Sequence, residues 1–190
     1  MIEAHSLILI GSTARNSGKT TLACELAQQL EATCAITALK VTRITDGESG
    51  CPHGEHGCGL CEQFEGGFCL ERETDVSRNK DTSLLLASGI EHVYWLRTQK
   101  ESMAESYQAF EQEIDPDHMV ICESNSLREY VHPLVFIMLA ADSCETKPSA
   151  QAVMEYADLV IPTTRLFEDK ATVVQDVMAI IRERYSAAAC

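Results

Sequence analysis

The residues of this sequence best suited to chemistry form one loop near the N-terminus. Gly18 and Lys19 are followed by two hydroxyl side chains, and an apolar run at positions 7–10 precedes the loop. Leucines at positions 22, 26 and 30 have the spacing of an α-helix. A helix N-terminus carries unpaired amides and a partial positive charge, which stabilise a bound phosphate. We therefore predict that phosphate is contacted by Thr13, Ala14, Arg15, Asn16, Ser17, Gly18, Lys19, Thr20 and Thr21.

The same loop predicts how a nucleotide and its metal are held. Lys19 can reach the terminal phosphates, and the Thr20 hydroxyl can ligate Mg²⁺. The sequence departs from the usual G-x-x-x-x-G-K-T pattern at its first position, Thr13, and the nearest glycine is Gly11. A tight turn without a phosphate is the alternative, but the flanking strand and helix favour a phosphate site.

Three charged residues elsewhere are candidates to complete the site. Glu123 directly follows the apolar run 119–122, and the carboxyl end of a buried strand borders the crevice where open α/β sheets bind ligands. There it would hold Mg²⁺ or orient an attacking water, unless it is a surface carboxylate. Asp81 is either a helix N-cap or a catalytic residue, and Lys40 is either a solvated lysine or a second phosphate contact. The candidate catalytic residues are Lys19, Glu123 and Asp81.

A cysteine cluster is the second chemical feature of the sequence. It lies in segment 43–73, which holds seven of the ten glycines and shows almost no apolar periodicity, so we expect an insertion without a core of its own. The spacing Cys-x6-Cys-x2-Cys-x7-Cys allows four thiolates to surround one ion. Such a set suits Zn²⁺ best and an iron–sulfur cluster second. The predicted ligands of this structural or functional centre are Cys51, Cys58, Cys61 and Cys69.

Apolar patterning predicts the elements that position these residues. Strands are expected at 6–10, 34–42, 92–96, 119–122, 134–141 and 157–161. Helices are expected at 19–30, 82–88 and 101–114, with a closing helix marked by Val174, Val177, Met178, Ile181 and Tyr185. Alternating strands and helices predict a single α/β domain over 1–190, with a mostly parallel sheet flanked by helices and the insertion at 43–73.

The composition excludes several classes of partner. The net charge is −14, whereas binding to nucleic acid or to an anionic membrane surface needs dense lysine and arginine. No apolar stretch is long enough to span a bilayer, and the N-terminus does not resemble a signal peptide. We therefore expect a cytoplasmic protein that binds neither nucleic acid nor membrane.

The order of the motifs resembles the molybdopterin-guanine dinucleotide biosynthesis adaptor family, of the signal-recognition/MinD/BioD class of P-loop NTPases. The resemblance covers about positions 5–140 and rests on residues 18–21, Lys40, residues 80–82 leading to Gly89, and residues 120–123. The resemblance implies a GTP-binding homodimer that acts as a GTPase. It would help to assemble a molybdenum cofactor together with a cofactor-biosynthesis or metalloenzyme partner. The cysteine insertion, Ala14 and Ser124 depart from the patterns of these families.

Two further resemblances leave the function open. Cys51-Pro52-His53 is similar to the metal motif of the nickel-insertion GTPases of the same class, and Thr13 resembles the loop of dethiobiotin synthetase. The alternatives are therefore an ATP-dependent small-molecule ligase or kinase, or a nucleotide- and metal-sensing module without turnover. The base, GTP or ATP, is not readable. The nearest relative of a guanine-reading motif is Thr146-Lys147-Pro148-Ser149, and Pro162-Thr163-Thr164 could contact the base through its backbone.

Overall fold

The computed structural model describes residues 1–44, 67–78, 80–142 and 145–188. The strands are β1 (Ile2–Ser12), β2 (Ile36–Ile44), β3 (Phe68–Arg72), β4 (His92–Gln99), β5 (Met119–Glu123), β6 (Val131–Ala140) and β7 (Leu159–Pro162). The helices are α1 (Lys19–Leu30), α2 (Asp81–Ala87), α3 (Met103–Glu113), α4 (Pro148–Gln151), α5 (Thr163–Glu168) and α6 (Lys170–Ala188). Short 3-10 turns lie at Ser126–Glu129 and Met154–Tyr156.

The strands form one seven-stranded sheet in the order β3-β4-β2-β5-β1-β6-β7. All neighbouring pairs are parallel except β3 and β4, which are antiparallel. The predicted α/β fold with a mostly parallel, helix-flanked sheet is confirmed. Because β1 lies between β5 and β6, the loop that follows β1 opens at the centre of the carboxyl edge of the sheet.

Alternation along the buried strands distributes the core over both faces of the sheet. Ile8 and Ile10 pack in the cluster that includes apolar residues of α1, α2, α5 and α6. Leu7 and Leu9 point to the opposite face and pack in the cluster that includes residues of α3 and Ala150 of α4. Burial of such a side chain contributes about 1.5–3 kcal/mol, so both helical layers hold the central strands, and with them the loop after β1, in place.

The structure differs from the sequence-based prediction at one edge of the sheet. Part of the predicted insertion forms β3, which pairs in register with β4. Phe68 and Leu70 account for it, because their side chains pack against the apolar cluster on the α3 side. Residues 45–66 lie outside the described part of the chain, so the bounds of the insertion and the metal ligands Cys51, Cys58 and Cys61 stay predictions.

Other differences concern two short helices and the start of a strand. Helices α4 and α5 have too few residues for a periodic pattern to predict them, and β6 begins at Val131, three residues before the predicted strand.

None of the helices in the described residues has both the length and the apolar character that crossing a bilayer requires.

Candidate functional site

The loop between β1 and α1 adopts backbone conformations that explain its small residues. Asn16 has φ of 54° and Gly18 has φ of 83°, so two left-handed residues turn the chain back onto the start of α1. At Gly18 a Cβ atom would also lie 2.8 Å from Cδ2 of Leu166 in α5. The glycine is therefore required twice, by its φ angle and by the close approach of α5.

Thr13, which stands where the usual motif has glycine, ties the loop to β6. Its amide donates to the Leu139 carbonyl at 3.0 Å, and its carbonyl accepts from the Lys147 amide at 3.0 Å. Its hydroxyl accepts from the Ala141 amide at 2.8 Å. Thr13 and Ala14 are both buried, and the amide, carbonyl and hydroxyl groups of Thr13 are all engaged in these bonds, so the predicted contacts of the two residues with phosphate stay predictions.

Lys19 begins α1 and reaches back across the loop. Its Nζ donates to Ser12 Oγ at 2.9 Å, and the Ser12 hydroxyl in turn donates to the Ala14 carbonyl at 2.8 Å. Burial lowers the pKa of Lys19, and the nearby Glu123 carboxylate partly opposes that shift. The amine is thus held at the mouth of the loop, where a terminal phosphate would meet the amides of α1.

Glu123 lies at the centre of the carboxyl edge, opposite Ile10 of β1 on one side and Lys40 of β2 on the other. It is 3% exposed, and neither carboxylate oxygen has a hydrogen-bond partner among the described residues. A buried carboxylate in that condition is costly unless a cation or donor completes it. Thr20, in the first turn of α1, offers a hydroxyl beside the loop, so the oxygen donors fit Mg²⁺.

Lys40 and Asp81 form an ion pair that joins β2 to the start of α2. The N-cap of α2 is Lys80, without a side-chain capping bond, so the N-cap alternative for Asp81 is not what the structure has. Burial lowers the pKa of Lys40, Glu123 acts against this shift, and Lys19 adds to it. Glu123 is therefore close enough to Lys19 and Lys40 to act on the pKa values of both amines.

Two cavities share Lys19 in their lining. The small cavity, about 230 Å³, is lined by residues 16–21, Asp81 and Phe167. The large cavity, about 500 Å³, is lined by the carboxyl ends of β1, β2 and β5 and by residues of the loop and of the start of α4. Lys19 lines both cavities, so a ligand bound in either one would be able to contact its amine.

Sequence reasoning assigned no structural role to Asn125, which links the start of the loop, at Ser12, to the segment after β5. Its Oδ1 accepts from the Ser12 amide at 2.8 Å, and its Nδ2 donates to the Ser12 carbonyl at 2.9 Å and to Ser149 Oγ at 3.2 Å. A Cβ at Gly11 would lie 2.7 Å from Asn125 Oδ1. Gly11 is thus the glycine that permits this close approach, which no local pattern indicates.

Lys147 and Phe167 are the other residues that the sequence did not single out as parts of the site. Lys147, considered only within a degenerate base-reading motif, lines the large cavity. Burial, together with the positive charges of Lys19, Arg15 and Lys40, lowers its pKa to about 8. Phe167 lines the small cavity although its side chain is 60% exposed. The sequence signal is an aromatic residue soon after the last strand, but only the structure shows that this residue is exposed.

Cys69 is the one predicted cysteine ligand that the described residues contain. It lies on β3, half-buried, and its Sγ accepts a hydrogen bond from Arg97 Nη2 at 3.4 Å. Within residues 1–44, 67–78, 80–142 and 145–188, no group of three or more histidine, cysteine, aspartate or glutamate side chains could hold a metal ion. The four-cysteine centre therefore stays a prediction.

Comparison with solved structures gives one informative likeness. The chain is similar to a crystal structure of LpxK from Aquifex aeolicus in complex with ATP, with a TM-score of 0.50 and 14% sequence identity. The likeness covers 84% of this chain and 48% of that one, so the chain spans about half the length of that structure. Comparison with protein-family models and with curated proteins gives no match. The likeness shows a shared fold, and with the strand–loop–helix geometry around Lys19 that fold is the P-loop NTPase fold.

Proposed function

We propose that this protein binds a nucleoside triphosphate with Mg²⁺ at loop 13–18 and cleaves its γ-phosphate. One observation carries the proposal: Lys19, at the start of α1, lies beside Glu123, whose buried carboxylate oxygens have no hydrogen-bond partner among the described residues. A basic amine and an uncompensated carboxylate at one edge of the sheet are the two charges that a Mg²⁺–triphosphate complex would complete.

The proposed roles follow from position. The amides of residues 16–20 and the amine of Lys19 hold the phosphates, and Thr20 with Glu123 would hold Mg²⁺ directly or through water. Mg²⁺ would supply neutralisation of the phosphate charge. Glu123 would also orient the water that attacks the γ-phosphorus. Asp81 lines the small cavity and its ion pair with Lys40 positions that lysine, so Asp81 is the second candidate carboxylate.

The base is proposed to lie against Phe167, since an aromatic ring 60% exposed beside the phosphate loop offers a stacking surface. GTP is supported by the resemblance to the molybdopterin-guanine dinucleotide adaptor family. ATP is supported by the fold shared with LpxK, whose structure is an ATP complex. Titration of the protein with fluorescent analogues of both nucleotides decides between them. Failure of both to bind with micromolar affinity would contradict the proposal.

The proposed pathway is the assembly of a metal cofactor, and molybdenum cofactor is the first candidate. In this pathway the protein would be a GTPase that acts as a homodimer together with a client partner. Its support is the order of motifs around Lys19, Lys40 and Glu123. In this proposal the four cysteines bind Zn²⁺ or an iron–sulfur cluster, because a metal centre can offset the entropy of ordering a glycine-rich segment. Metal analysis of anaerobically purified protein tests it. The centre is rejected if no metal is found and Cys58→Ser with Cys61→Ser changes neither proteolysis of 44–73 nor turnover.

The large cavity favours a second candidate, an ATP-dependent small-molecule kinase or ligase. A water molecule needs little room, whereas about 500 Å³ beside Lys19 can hold a second small molecule. The two candidates differ in one measurable respect: a GTPase would transfer the γ-phosphoryl group to water, and a kinase or ligase would transfer it to an acceptor bound in that cavity.

A further inference from the structure

The large cavity has a charge that is unusual for this chain. The protein carries a net charge of −14, yet Glu123 is the one acidic residue among the described residues that line the cavity. Five cationic side chains line it: Arg15, Lys19, Lys40, Arg43 and Lys147. Such a concentration of positive charge in a concave site raises the local concentration of anions.

Three of these cations have an acidic group nearby, and Lys19 is close enough to the Glu123 carboxylate for that charge to act on its pKa. Lys40 pairs with Asp81, and Arg43 lies 3.7 Å from a carboxylate oxygen of Glu129. Arg15 and Lys147, in contrast, form no ion pair with any described residue. The charged groups that act on Lys147 are Lys19, Arg15 and Lys40, all positive. An anion placed between Arg15 and Lys147 would relieve this repulsion.

The cavity also presents neutral hydrogen-bonding groups beside the cations. Ser124, Ser126 and Ser149 line it, and the hydroxyl groups of the first two lie 3.4 Å apart. Asn125 lines it too, but its side chain is engaged with the Ser12 backbone. A pocket with several fixed hydroxyl groups and free cations suits a small polar molecule with an anionic group better than it suits an apolar one.

We propose that the large cavity binds a small second ligand through a carboxylate or phosphate group held by Arg15 and Lys147, at the same time as a nucleotide occupies the loop. The position of Lys19 between the cavities places this ligand next to the terminal phosphate. The inference rests on the proposed nucleotide function and names the class of molecule that a kinase or ligase of this fold would accept.

The test uses trace acetylation of the full-length protein, with the reaction of each lysine followed by mass spectrometry. The loop is first saturated with Mg²⁺ and a nonhydrolysable triphosphate, AMP-PNP or GMP-PNP. Inorganic phosphate and malonate are then titrated separately at constant ionic strength. We expect one or both to protect Lys147 saturably while the nucleotide stays bound, and the exposed Lys100 to react unchanged. Protection by one anion only identifies the phosphate or the carboxylate as the recognised group.

Variants separate the two sites. Arg15→Ala should weaken binding of the protecting anion by about tenfold or more, which is the effect of losing a charged hydrogen bond. Lys100→Ala should leave the affinity for the anion unchanged. Phe167→Ala should weaken binding of the nucleotide and leave binding of the anion unchanged. The proposal is overturned if neither anion protects Lys147, or if the anion acts by displacing the nucleotide. If no nucleotide binds, the same titration without it still tests the anion site, so the failure of the proposed function is recognised separately.

Discussion

The two cavities around Lys19 are built in different ways. The small cavity is made by one continuous stretch, residues 16–21, with Asp81 and Phe167 at its border. The large cavity is assembled from side chains at the carboxyl ends of three strands, together with the loop and the start of α4. The first depends on backbone geometry at one turn, and the second depends on the register of the whole sheet.

This difference has a functional consequence. Backbone amides at a helix N-terminus bind any phosphate in much the same way, so the small cavity has little means of selecting its ligand beyond the proposed contact of Phe167 with the base. The large cavity is formed by side chains that can differ from one protein of this fold to another. Specificity is therefore expected to depend on the side chains of Arg15, Lys40, Glu123 and Lys147, and nucleotide binding on the backbone amides of the loop.

Substitution of Glu123 by glutamine gives the largest expected effect and tests the division between the cavities. The amide keeps the shape of the side chain and loses its charge, so nucleotide affinity should stay within a few-fold. Hydrolysis should slow by about 100-fold or more, as is typical when a catalytic carboxylate is lost. Single-turnover hydrolysis with Mg²⁺ measures this effect. A variant with the wild-type rate would place the catalytic carboxylate elsewhere, with Asp81→Asn the next to be tested.

Lys19→Ala is expected to weaken ligand binding in both cavities, because Lys19 lines each of them. Loss of a charged hydrogen bond to a phosphate should weaken nucleotide binding by about 10- to 100-fold. The fold should survive, since among the described residues the amine bonds only to Ser12 Oγ. Fluorescent nucleotide titration and thermal unfolding measure the two quantities, with Lys100→Ala as the matched control. Unchanged affinity would remove the assignment of this loop.

The sequence predicted the loop and the order of the elements because both depend on local patterns. Lys19 follows a glycine and begins a helix whose buried leucines recur at helical spacing, and the strands are continuous apolar runs. Glu123 could also be identified, since it ends such a run. β3 could not, because its alternation is short and its stability comes from pairing with β4.

The large cavity was not predictable for a related reason. Arg15, Arg43 and Lys147 are far apart in the sequence, and only the parallel register of β1, β2 and β5 with the turn before α4 brings them to one edge. Thr13 shows the converse case. In the sequence Thr13 is only a departure from the glycine of the usual motif. In the structure its hydroxyl and backbone make three hydrogen bonds, to Leu139, Ala141 and Lys147, which hold the loop in place.

Asn125→Ala tests the attachment of the loop to the segment after β5, where the Asn125 side chain makes three hydrogen bonds. We expect a loss of about 2 kcal/mol in the free energy of unfolding, because the partly buried Ser12 backbone groups lose their partner. Urea unfolding measures this loss. Gly11→Ala alone should also destabilise, by about 1–3 kcal/mol, since its Cβ would press on Asn125 Oδ1. In the Asn125→Ala background Gly11→Ala should cost less, and strictly additive losses would contradict this contact.

The smallest expected effect is the pH dependence of anion binding in the large cavity. The pKa of Lys147 is lowered to about 8 by burial and by neighbouring cations, so the free protein loses this positive charge as the pH rises through that value. A bound anion favours the charged amine and raises the pKa of Lys147. Affinity for inorganic phosphate should therefore be full near pH 7 and fall by about three- to tenfold by pH 9.5.

Lys147→Arg provides the control for this pH dependence, because an arginine side chain keeps its charge throughout the range. Its phosphate affinity, measured by calorimetry with the loop saturated by AMP-PNP or GMP-PNP, should stay nearly constant from pH 7 to 9.5 while that of the wild type falls. Phosphate itself is already mostly dianionic above pH 7.5, and its ionisation affects both proteins equally. If both affinities fall together, Lys147 does not cause the pH dependence or hold the anion, and the titrating group is another lysine of the cavity, Lys19 or Lys40, whose pKa values burial also lowers.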